Sequence, residues 1–309
     1  MREDGSMTDV ALAVDIGGTK VDAALVDARG ELVPGSRHRA PTGAGQTPDT
    51  FASAIASVCE EAVASLAPGA RLVGVGIGTA GPLRGDGTHV SPLNMPGIRD
   101  LPLVPAVERF AGGAPVRVAL DGTCITLAEA RFGALRGVRN GIAMVVSTGI
   151  GGGLVLDGRV VRGETGNAGH VGQAWVRRPD PDLPVQATVE AVASGPATVR
   201  WANAHGWEGV DGLALAMAAR EGDPVARRAV RRSATAVGQA IASFAALLDV
   251  TTVAIGGGFS RVSEDYLSLV EAAAHGAALL PAAHEVRVVP AELGDDAPLV
   301  GAGLLALDG

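Results

Sequence analysis

The sequence predicts an α/β protein built from two domains. Its 309 residues are enough for two domains of ordinary size. Apolar runs of strand length alternate with segments whose apolar residues recur every three or four positions, the spacing of an amphipathic helix. Three strand-like runs, ending at Val14, Val146 and Ile255, each lead into a glycine-rich turn. Because these turns share one form, we expect them to face each other across a cleft between the two domains.

Taken in order, the elements support a mixed α/β pattern rather than a repeat of fixed short period. In the first part of the chain we predict strands at 10–14, 21–26, 31–39, 71–78 and 115–120, and helices at 49–66 and 123–135. In the second part we predict strands at 141–146, 150–156, 251–255 and 284–289, helices from 188 onward and at 225–248, 266–273 and 298–306, and a glycine-rich segment poor in strands at 158–172. We place a small domain at 1–119 with about 297–309, and a large domain at 120–296.

The composition excludes several classes of protein. Apolar residues make up 47 % of the chain, so a packed core is expected, and a net charge of −8 argues against a nucleic-acid-binding surface. Four arginines on the helix at 225–248 form the one basic cluster, which we interpret as a solvated helix face. No run of about 18 apolar residues could cross a membrane. The two cysteines and the polar residues 1–9 lead us to expect a cytoplasmic protein without a signal peptide.

The stretch Asp15-Ile16-Gly17-Gly18-Thr19-Lys20 joins the first two predicted strands. Only glycine lets main-chain amides approach a large anion without a Cβ atom in the way. A carboxylate beside such a turn suits a hydrated metal ion. These six residues therefore suggest a clamp for the phosphates of a magnesium nucleotide, and a Gly-Gly hairpin turn with a buried aspartate explains them about as well. The chain has no G-x-x-x-x-G-K-[ST] motif, so a nucleotide site would not be of the P-loop kind.

A second glycine-rich stretch, Gly76 to Gly81, matches the dinucleotide-binding pattern G-x-G-x-x-G. That pattern has meaning only when a helix follows the last glycine. Pro82, Gly85 and Gly87 follow here, so no helix can begin and we reject a dinucleotide site. We predict instead a loop at the carboxyl end of a strand, where α/β sheets bind ligands.

Five motifs together resemble the ROK family of sugar kinases and sugar-responsive regulators. They occur in family order over nearly the whole chain: Asp15 to Lys20, Ser147-Thr148-Gly149-Ile150-Gly151-Gly152-Gly153, Gly166-Asn167-Ala168-Gly169-His170-Val171-Gly172, Glu190-Ala191-Val192-Ala193-Ser194-Gly195, and Gly256-Gly257-Gly258. The resemblance implies a two-domain fold of the actin-like, ribonuclease-H-like ATPase type. Within the family, the second motif and the Ala-Gly-His sequence are most similar to bacterial N-acetylmannosamine kinases, and glucokinases are the alternative.

The resemblance also implies roles for individual residues. The nucleotide would be bound by Asp15 (with Mg2+), Gly17, Gly18, Thr19, Lys20, Ser147, Thr148, Gly149, Gly151 and Gly152 at its ATP phosphates, and by Gly256, Gly257 and Gly258 at its adenosine. Asp121 would be the catalytic base that accepts the proton of the attacking sugar hydroxyl. An N-cap role for Asp121 is compatible with this, because it ends a strand and opens a helix.

The sugar would be contacted by Asn94, Asp121, His170, Gln173 and Glu190. Buried donors and acceptors select a sugar because an unpaired group penalises the wrong epimer. Two of these residues have simpler interpretations. His170 could be an ordinary loop histidine, and Glu190 could be a first-turn carboxylate favoured by the helix dipole.

The sequence departs from the family pattern at three places. Leu120 replaces the asparagine that usually precedes the catalytic aspartate, and Gln173 replaces a histidine. Residues 174–187 contain none of the family's zinc-binding cysteines. Without thiolates a structural zinc has no ligand set, so we expect ATP and Mg2+ but no zinc.

The expected activity is transfer of the ATP γ-phosphate to the 6-hydroxyl of a hexose or N-acetylhexosamine, N-acetylmannosamine or glucose. A binding protein that has lost activity is the alternative. A ROK transcriptional regulator is disfavoured, because fourteen residues before Asp15 leave no room for a helix-turn-helix domain. The resemblance implies a homodimer, and the helix at 225–248 could serve either the core or that interface.

Overall fold

A computed structural model describes residues 8–84, 86–93, 95–178 and 184–308. The chain divides into two compact units, one formed by 1–128, 161–168 and 295–309, the other by 129–160 and 169–294. The domain limits inferred from the sequence stay a prediction. Across the described residues, no helix is both long and apolar enough to span a membrane.

The helices and strands follow one another in mixed order along the chain. The strands are β1 (Thr8–Ile16), β2 (Lys20–Asp27), β3 (His38–Pro41), β4 (Ala70–Thr79), β5 (His89–Val90), β6 (Leu101–Pro102), β7 (Val116–Leu120), β8 (Gly141–Val146), β9 (Ile150–Leu156), β10 (Arg159–Val161), β11 (Thr252–Gly256) and β12 (Arg287–Pro290). The helices are α1 (Pro48–Ala64), α2 (Val104–Val107), α3 (Asp121–Phe132), α4 (Val189–Ala193), α5 (Gly195–Asn203), α6 (Gly212–Glu221), α7 (Pro224–Leu248), α8 (Tyr266–Ala277) and α9 (Ala297–Leu307). This is the α/β class that the sequence predicts.

The first unit is built on a five-stranded sheet in the order β3-β2-β1-β4-β7. Strand β1 pairs antiparallel with β2 and parallel with β4. Side chains alternate between the two faces of a strand. Leu12 accordingly belongs to the apolar cluster that contains Phe51 of α1, whereas Ala13 belongs to the cluster that contains Leu299 and Ala302 of α9. Strand β1, which carries Asp15 near its end, therefore packs against helices on both faces.

The glycines of the rejected dinucleotide pattern serve packing. A Cβ atom on Gly76 would overlap the carbonyl group of Ala302 in α9, and one on Gly78 would lie 3.0 Å from Sγ of Cys124 in α3. The backbone of α9 can approach the sheet this closely only because residue 76 has no side chain. As predicted, no helix begins after Gly81; a turn and an isolated bridge at Leu83 follow β4.

The second unit is built on a five-stranded sheet in the order β10-β9-β8-β11-β12. The helix α7 begins after Asp223, whose carboxylate accepts the N–H groups of Val225 and Ala226. One face of α7 consists of small apolar residues and packs against α8. The contact is so close that a Cβ on Gly238 would lie 2.5 Å from the Val270 carbonyl oxygen. Much of the α7 apolar face is therefore used in the core of its own unit.

Several predicted elements have different limits in the structure. Residues 31–39 do not form one strand, because Gly30 and Gly35 have positive φ angles of 77° and 78°. Leu32 makes an isolated bridge to Val26 of β2, and a continuous ladder with β2 is formed by His38 to Pro41. The strand predicted at 284–289 begins at Arg287, after a 3-10 turn at Pro281–Glu285. The segment 158–172 contains β10. Finally, α3 starts at Asp121 itself rather than at 123.

The arginine cluster on α7 is not simply a solvated face. The guanidinium groups of Arg228 and Arg232 lie over the Trp201 ring, 5.2 and 5.4 Å from its centroid. Arg232 also donates to the Val192 carbonyl oxygen at 2.6 Å. Its pKa is lowered, first by burial and then by the charge of Arg177. The interpretation as a solvated face holds for Arg227, Arg228 and Arg231, which are exposed, whereas Arg232 is partly buried against Trp201 of another helix.

Candidate active site

The turn after β1 is a closed loop supported by a neighbouring segment. The N–H of Gly17 donates to the Lys20 carbonyl oxygen at 2.9 Å. Thr42 braces the turn twice, since its N–H donates to the Thr19 carbonyl oxygen and its hydroxyl to the Gly17 carbonyl oxygen, both at 2.9 Å. The turn is the one predicted between two strands, and Thr42 is a support that the sequence did not reveal.

Asp15 lies directly opposite Asp22 in the β1–β2 ladder. Asp22 is 1 % exposed and binds two guanidinium groups: Arg39 at 2.6 and 2.7 Å and Arg37 at 2.9 Å. Burial opposes ionisation of Asp22, but hydrogen bonds from Arg39 and then Arg37 outweigh it and lower the pKa of this carboxyl. A fixed negative charge therefore stands beside Asp15. Sequence reasoning missed this group, although the two-residue period of a strand places Asp22 on the same face as Lys20.

Asp121 is the first residue of α3 and follows the buried end of β7. Its Oδ1 accepts the N–H of Gly122 at 2.7 Å. This is not the N-cap bond that the sequence allowed, which would run to the second or third helical N–H group. The backbone N–H of Asp121 itself is a second hydrogen-bond donor that favours the ionised form of this carboxyl.

Asp15 and Asp121 are both harder to ionise than ordinary aspartates. Burial raises the pKa of Asp121 to about 6, and the hydrogen bond from Gly122 opposes the rise. The pKa of Asp15 rises to about 7, first through burial and then through the charges of Asp121 and Asp22. Lys20 and Arg37 oppose this second rise. A carboxyl with a pKa near 6 can accept a proton at neutral pH, and the charges of Asp121 and Asp22 make a cation at Asp15 favourable.

The second unit contains the other two glycine-rich turns, and its sheet brings them together. Strands β8 and β11 are parallel neighbours, so the turns after Val146 and Ile255 leave the same edge. A Cβ on Gly258 would lie 3.7 Å from Oγ of Ser147. Gly257 has φ of 95°, and a Cβ there would lie 2.5 Å from the Val146 carbonyl oxygen, so this position requires glycine. The structure thus brings these two turns together within the second unit.

Glu190 is the residue that holds the Ser147–Gly149 turn. One oxygen of its carboxylate accepts the N–H of Ile150 at 2.8 Å, and a Cβ on Gly149 would lie 2.7 Å from that oxygen. The side-chain amide of Gln173 reaches the other oxygen at 3.5 Å. Glu190 is in the first turn of α4, whose N-cap is Thr188. The structural and the sugar-binding interpretations of Glu190 are therefore compatible. One carboxylate oxygen is bound to the turn, and the other has only the long contact with Gln173.

His170 directly precedes the short 3-10 turn that carries Gln173. Its pKa is lowered by partial burial, an effect that the charge of Glu190 opposes. The chain reaches this position through Gly169, where φ is 102° and a Cβ would lie 2.5 Å from the Gly152 carbonyl oxygen. His170, Gln173 and Glu190 thus form one group in the second unit.

The remaining predicted residues divide between the two units or fall outside the description. Asn94 lies outside the described residues. Asn167, in the first unit, was not singled out from the sequence, yet its side chain both accepts from the N–H and donates to the carbonyl oxygen of Leu83, each at 2.8 Å. The Asn167 side chain thus pairs with the backbone of the loop after β4 in the way that a neighbouring strand would. In the described part of the chain, no three His, Cys, Asp or Glu side chains are grouped to hold a metal ion by themselves.

Comparison with known proteins gives a consistent family. The chain matches the ROK family over residues 11–309. It is 36 % identical to N-acetylmannosamine kinase of Citrobacter koseri over 301 residues, which cover 96 % of this chain and 98 % of that protein. Its structure is similar to that of a ROK family glucokinase from Streptomyces griseus in complex with glucose and AMPPNP, with a TM-score of 0.82, 31 % identity and coverage of 97 % and 100 %.

The same fold also occurs in a protein of a different class. A ROK family transcriptional regulator, a homologue of the E. coli MLC protein, matches with a TM-score of 0.80 at 24 % identity, covering 98 % of this chain and 78 % of the regulator. At that identity the likeness concerns the fold alone. The motifs, the match over residues 11–309 and the relatives agree, and the chain belongs to the ROK family.

Proposed function

We propose that this protein is an ATP-dependent sugar kinase that transfers the γ-phosphate to the 6-hydroxyl of a hexose or an N-acetylhexosamine. The observation that carries the proposal is Asp121, a carboxyl at the start of α3 with a pKa of about 6 whose hydrogen bonds come only from backbone N–H groups of the described residues. Such a group can accept the proton of an attacking hydroxyl at neutral pH. General-base help of this kind contributes roughly 10²–10⁴ in rate.

The two glycine turns of the second unit fit the phosphates and adenosine of ATP. Phosphoryl transfer depends mainly on positioning and charge stabilisation, and backbone N–H groups provide both by donating hydrogen bonds to the phosphate oxygens. A side chain at Gly149 or Gly257 would collide with Glu190 or with the Val146 backbone. We assign the phosphates to Ser147, Thr148, Gly149, Gly151 and Gly152 and the adenosine to Gly256, Gly257 and Gly258.

The turn after β1 would serve the phosphates from the first unit through Gly17, Gly18, Thr19 and Lys20. Asp15 is the residue that would hold Mg2+, because the neighbouring charges of Asp121 and Asp22 oppose its ionisation and a cation would relieve them. When bound, the metal supplies positive charge to the phosphate oxygens.

The sugar would be selected by Asn94, His170, Gln173 and Glu190 together with Asp121. Glu190 has one oxygen tied to Ile150 N–H, which fixes the carboxylate in place before any ligand binds. The similarity to an N-acetylmannosamine kinase and to a glucokinase supports either N-acetylmannosamine or glucose as the substrate. Leu120, where relatives have asparagine, removes one hydrogen-bonding group next to the base.

Leu120 also motivates the alternative, a sugar-binding protein without activity. The raised pKa of Asp121 opposes that alternative, since carboxyls with strongly raised pKa values are concentrated at functional sites. A regulator is less favoured, because the sequence similarity is greater to the kinases than to the regulator. We retain the homodimer and the cytoplasmic location as expectations.

An ADP-release assay tests the proposal. Coupled turnover is measured with ATP and Mg2+ over glucose, mannose, fructose, allose, N-acetylmannosamine and N-acetylglucosamine. We expect sugar-dependent ADP release with one or two of these and none when the sugar is omitted. Sugar binding by calorimetry without ADP release from any of the six would favour the inactive binding protein.

A further inference from the structure

Glu129 is a buried carboxylate outside the proposed site. Its exposed fraction is 0 %. Oε2 accepts the N–H of Ala134 at 2.8 Å, and Oε1 accepts the N–H groups of Glu292 and Leu293, each at 3.0 Å. No Lys, Arg or His of the described chain forms an ion pair with it. Three backbone N–H groups are the partners that compensate for its burial.

A carboxylate is an unfavourable choice at this position. Glu129 lies in the last turn of α3, where the helix dipole disfavours negative charge. Removing an unpaired charge from water is costly unless hydrogen bonds replace the water. A buried glutamate in such a place calls for a specific reason.

That reason is the pair of chain segments that it joins. Helix α3 carries Asp121 at its first residue, eight positions and about 12 Å along the helix from Glu129. Glu292 and Leu293 lie in the connection from β12 to α9. The chain passes from one unit to the other at four places, and two of these are between residues 128 and 129 and between 294 and 295. The Glu129 carboxylate therefore fastens one of these passages to the segment that leads into the other.

The neighbouring residue Gly133 leaves room for this arrangement. A Cβ atom on Gly133 would collide with Oε2 of Glu129. The N–H of Gly133 donates to the Glu129 main-chain carbonyl oxygen at 3.1 Å, which closes the end of the helix over the carboxylate. Residue 133 has to be glycine for the carboxylate to keep its present position.

We propose that Glu129 is a positioning residue that fixes α3, and through it Asp121, against the β12–α9 connection. The kinetic part of this inference rests on the proposed role of Asp121. If the carboxylate is lost, α3 is no longer fastened at its far end and Asp121 is less well placed. Misplacement by about 1 Å can cost roughly 10²-fold in rate. Binding of the nucleotide and the sugar should change little.

The experiment compares Glu129→Ala, Glu129→Gln and Gly133→Ala with the control Asp223→Ala. Asp223 is matched because its carboxylate also accepts two backbone N–H groups, at the start of α7. We expect Glu129→Ala and Gly133→Ala to lower kcat by about tenfold or more, with both KM values within about threefold of wild type. Glu129→Gln keeps one acceptor oxygen and should recover part of the loss. The control should lose stability and keep its kcat.

Hydrogen exchange provides a second arm that does not depend on activity. Amides of α3 and of residues 292–296 should exchange faster together in Glu129→Ala, whereas only the start of α7 should do so in the control. Unchanged exchange in both segments would overturn the proposal whether or not the protein is a kinase. So would an unchanged kcat, or an equal loss of kcat in the control. A wild-type protein without turnover but with coupled exchange would refute the kinase function and keep the fastening role.

Discussion

Replacing Asp121 by asparagine is the most informative single change in the proposed site. The substitution keeps the size of the side chain and one oxygen that can accept the N–H of Gly122. It removes the proton acceptor, so we expect kcat to fall by roughly 10²–10⁴-fold while sugar binding stays within a few-fold of wild type. If Asp121 had only a structural role between β7 and α3, its substitution would not lower kcat while leaving sugar binding nearly unchanged.

The same change should make the protein more stable at neutral pH. The pKa of Asp121 rises from 3.8 to about 6 on folding, chiefly through burial. Folding therefore favours the protonated form, and the ionised form present at pH 7 costs stability. The rise in pKa from 3.8 to about 6 corresponds to a ceiling of about 3 kcal/mol in the free energy of unfolding. We expect about 1–2 kcal/mol, because part of the side chain remains exposed to solvent. The gain should be largest above pH about 6, should shrink as the pH falls toward 4, and should vanish only below about 3.8, where the wild-type carboxyl is protonated in the unfolded state as well.

Differential scanning calorimetry of both proteins from pH 4 to 8 gives the stability, and the ADP-release assay gives kcat. Asp86→Asn is a control of opposite sign. Its carboxylate accepts the N–H and hydroxyl of Thr88, which lower its pKa, so the substitution should destabilise the protein at neutral pH. Near-normal kcat in Asp121→Asn, or a loss of stability as large as that of Asp86→Asn, would refute the assignment.

Four other predictions follow. Gly149→Ala should raise the KM for ATP at least about tenfold in initial-rate kinetics, because its Cβ would lie 2.7 Å from the Glu190 carboxylate and shift the turn; an unchanged KM would contradict that role. Gly76→Ala should destabilise the fold by about 3 kcal/mol or more in urea unfolding, since its Cβ would overlap the Ala302 carbonyl, and a midpoint equal to wild type would be inconsistent with the packing described. The pH profile of kcat/KM should fall on the acid side with an apparent pKa near 6 as Asp121 is protonated; activity that persists unchanged to pH 4 would exclude a base of this kind. Elemental analysis should find far less than one zinc per chain, and a stoichiometric content would require ligands that we have not identified.

The sequence alone predicted the parts of the fold that depend on local pattern. Apolar runs ending in glycine turns located β1, β8 and β11, and helical spacing located α1 and α7 within two residues. The prediction of one strand at 31–39 was wrong, because strand propensity there competes with glycines that turn the chain. The proline after Gly81 correctly predicted that no helix begins there.

The candidate site was accessible from the sequence only as a set of motifs. The pairing of Asp22 with Arg39 spans 17 residues, and the bond from Ile150 to Glu190 spans 40. Contacts of this range are set by the packing of whole elements, and no local pattern encodes them. Glu129 shows the same limit, since its partners at 292 and 293 are more than 160 residues away.

The central claim is phosphoryl transfer to the 6-hydroxyl of a sugar. Its most direct test is phosphorus–proton correlation NMR of the product formed with ATP, Mg2+ and the best substrate of the panel. The proposal predicts one new phosphomonoester signal coupled to the two hydrogens on carbon 6, absent with Asp121→Asn. A phosphorus signal coupled to another carbon's hydrogen would contradict the position of transfer. Inorganic phosphate as the sole new product would contradict the kinase itself.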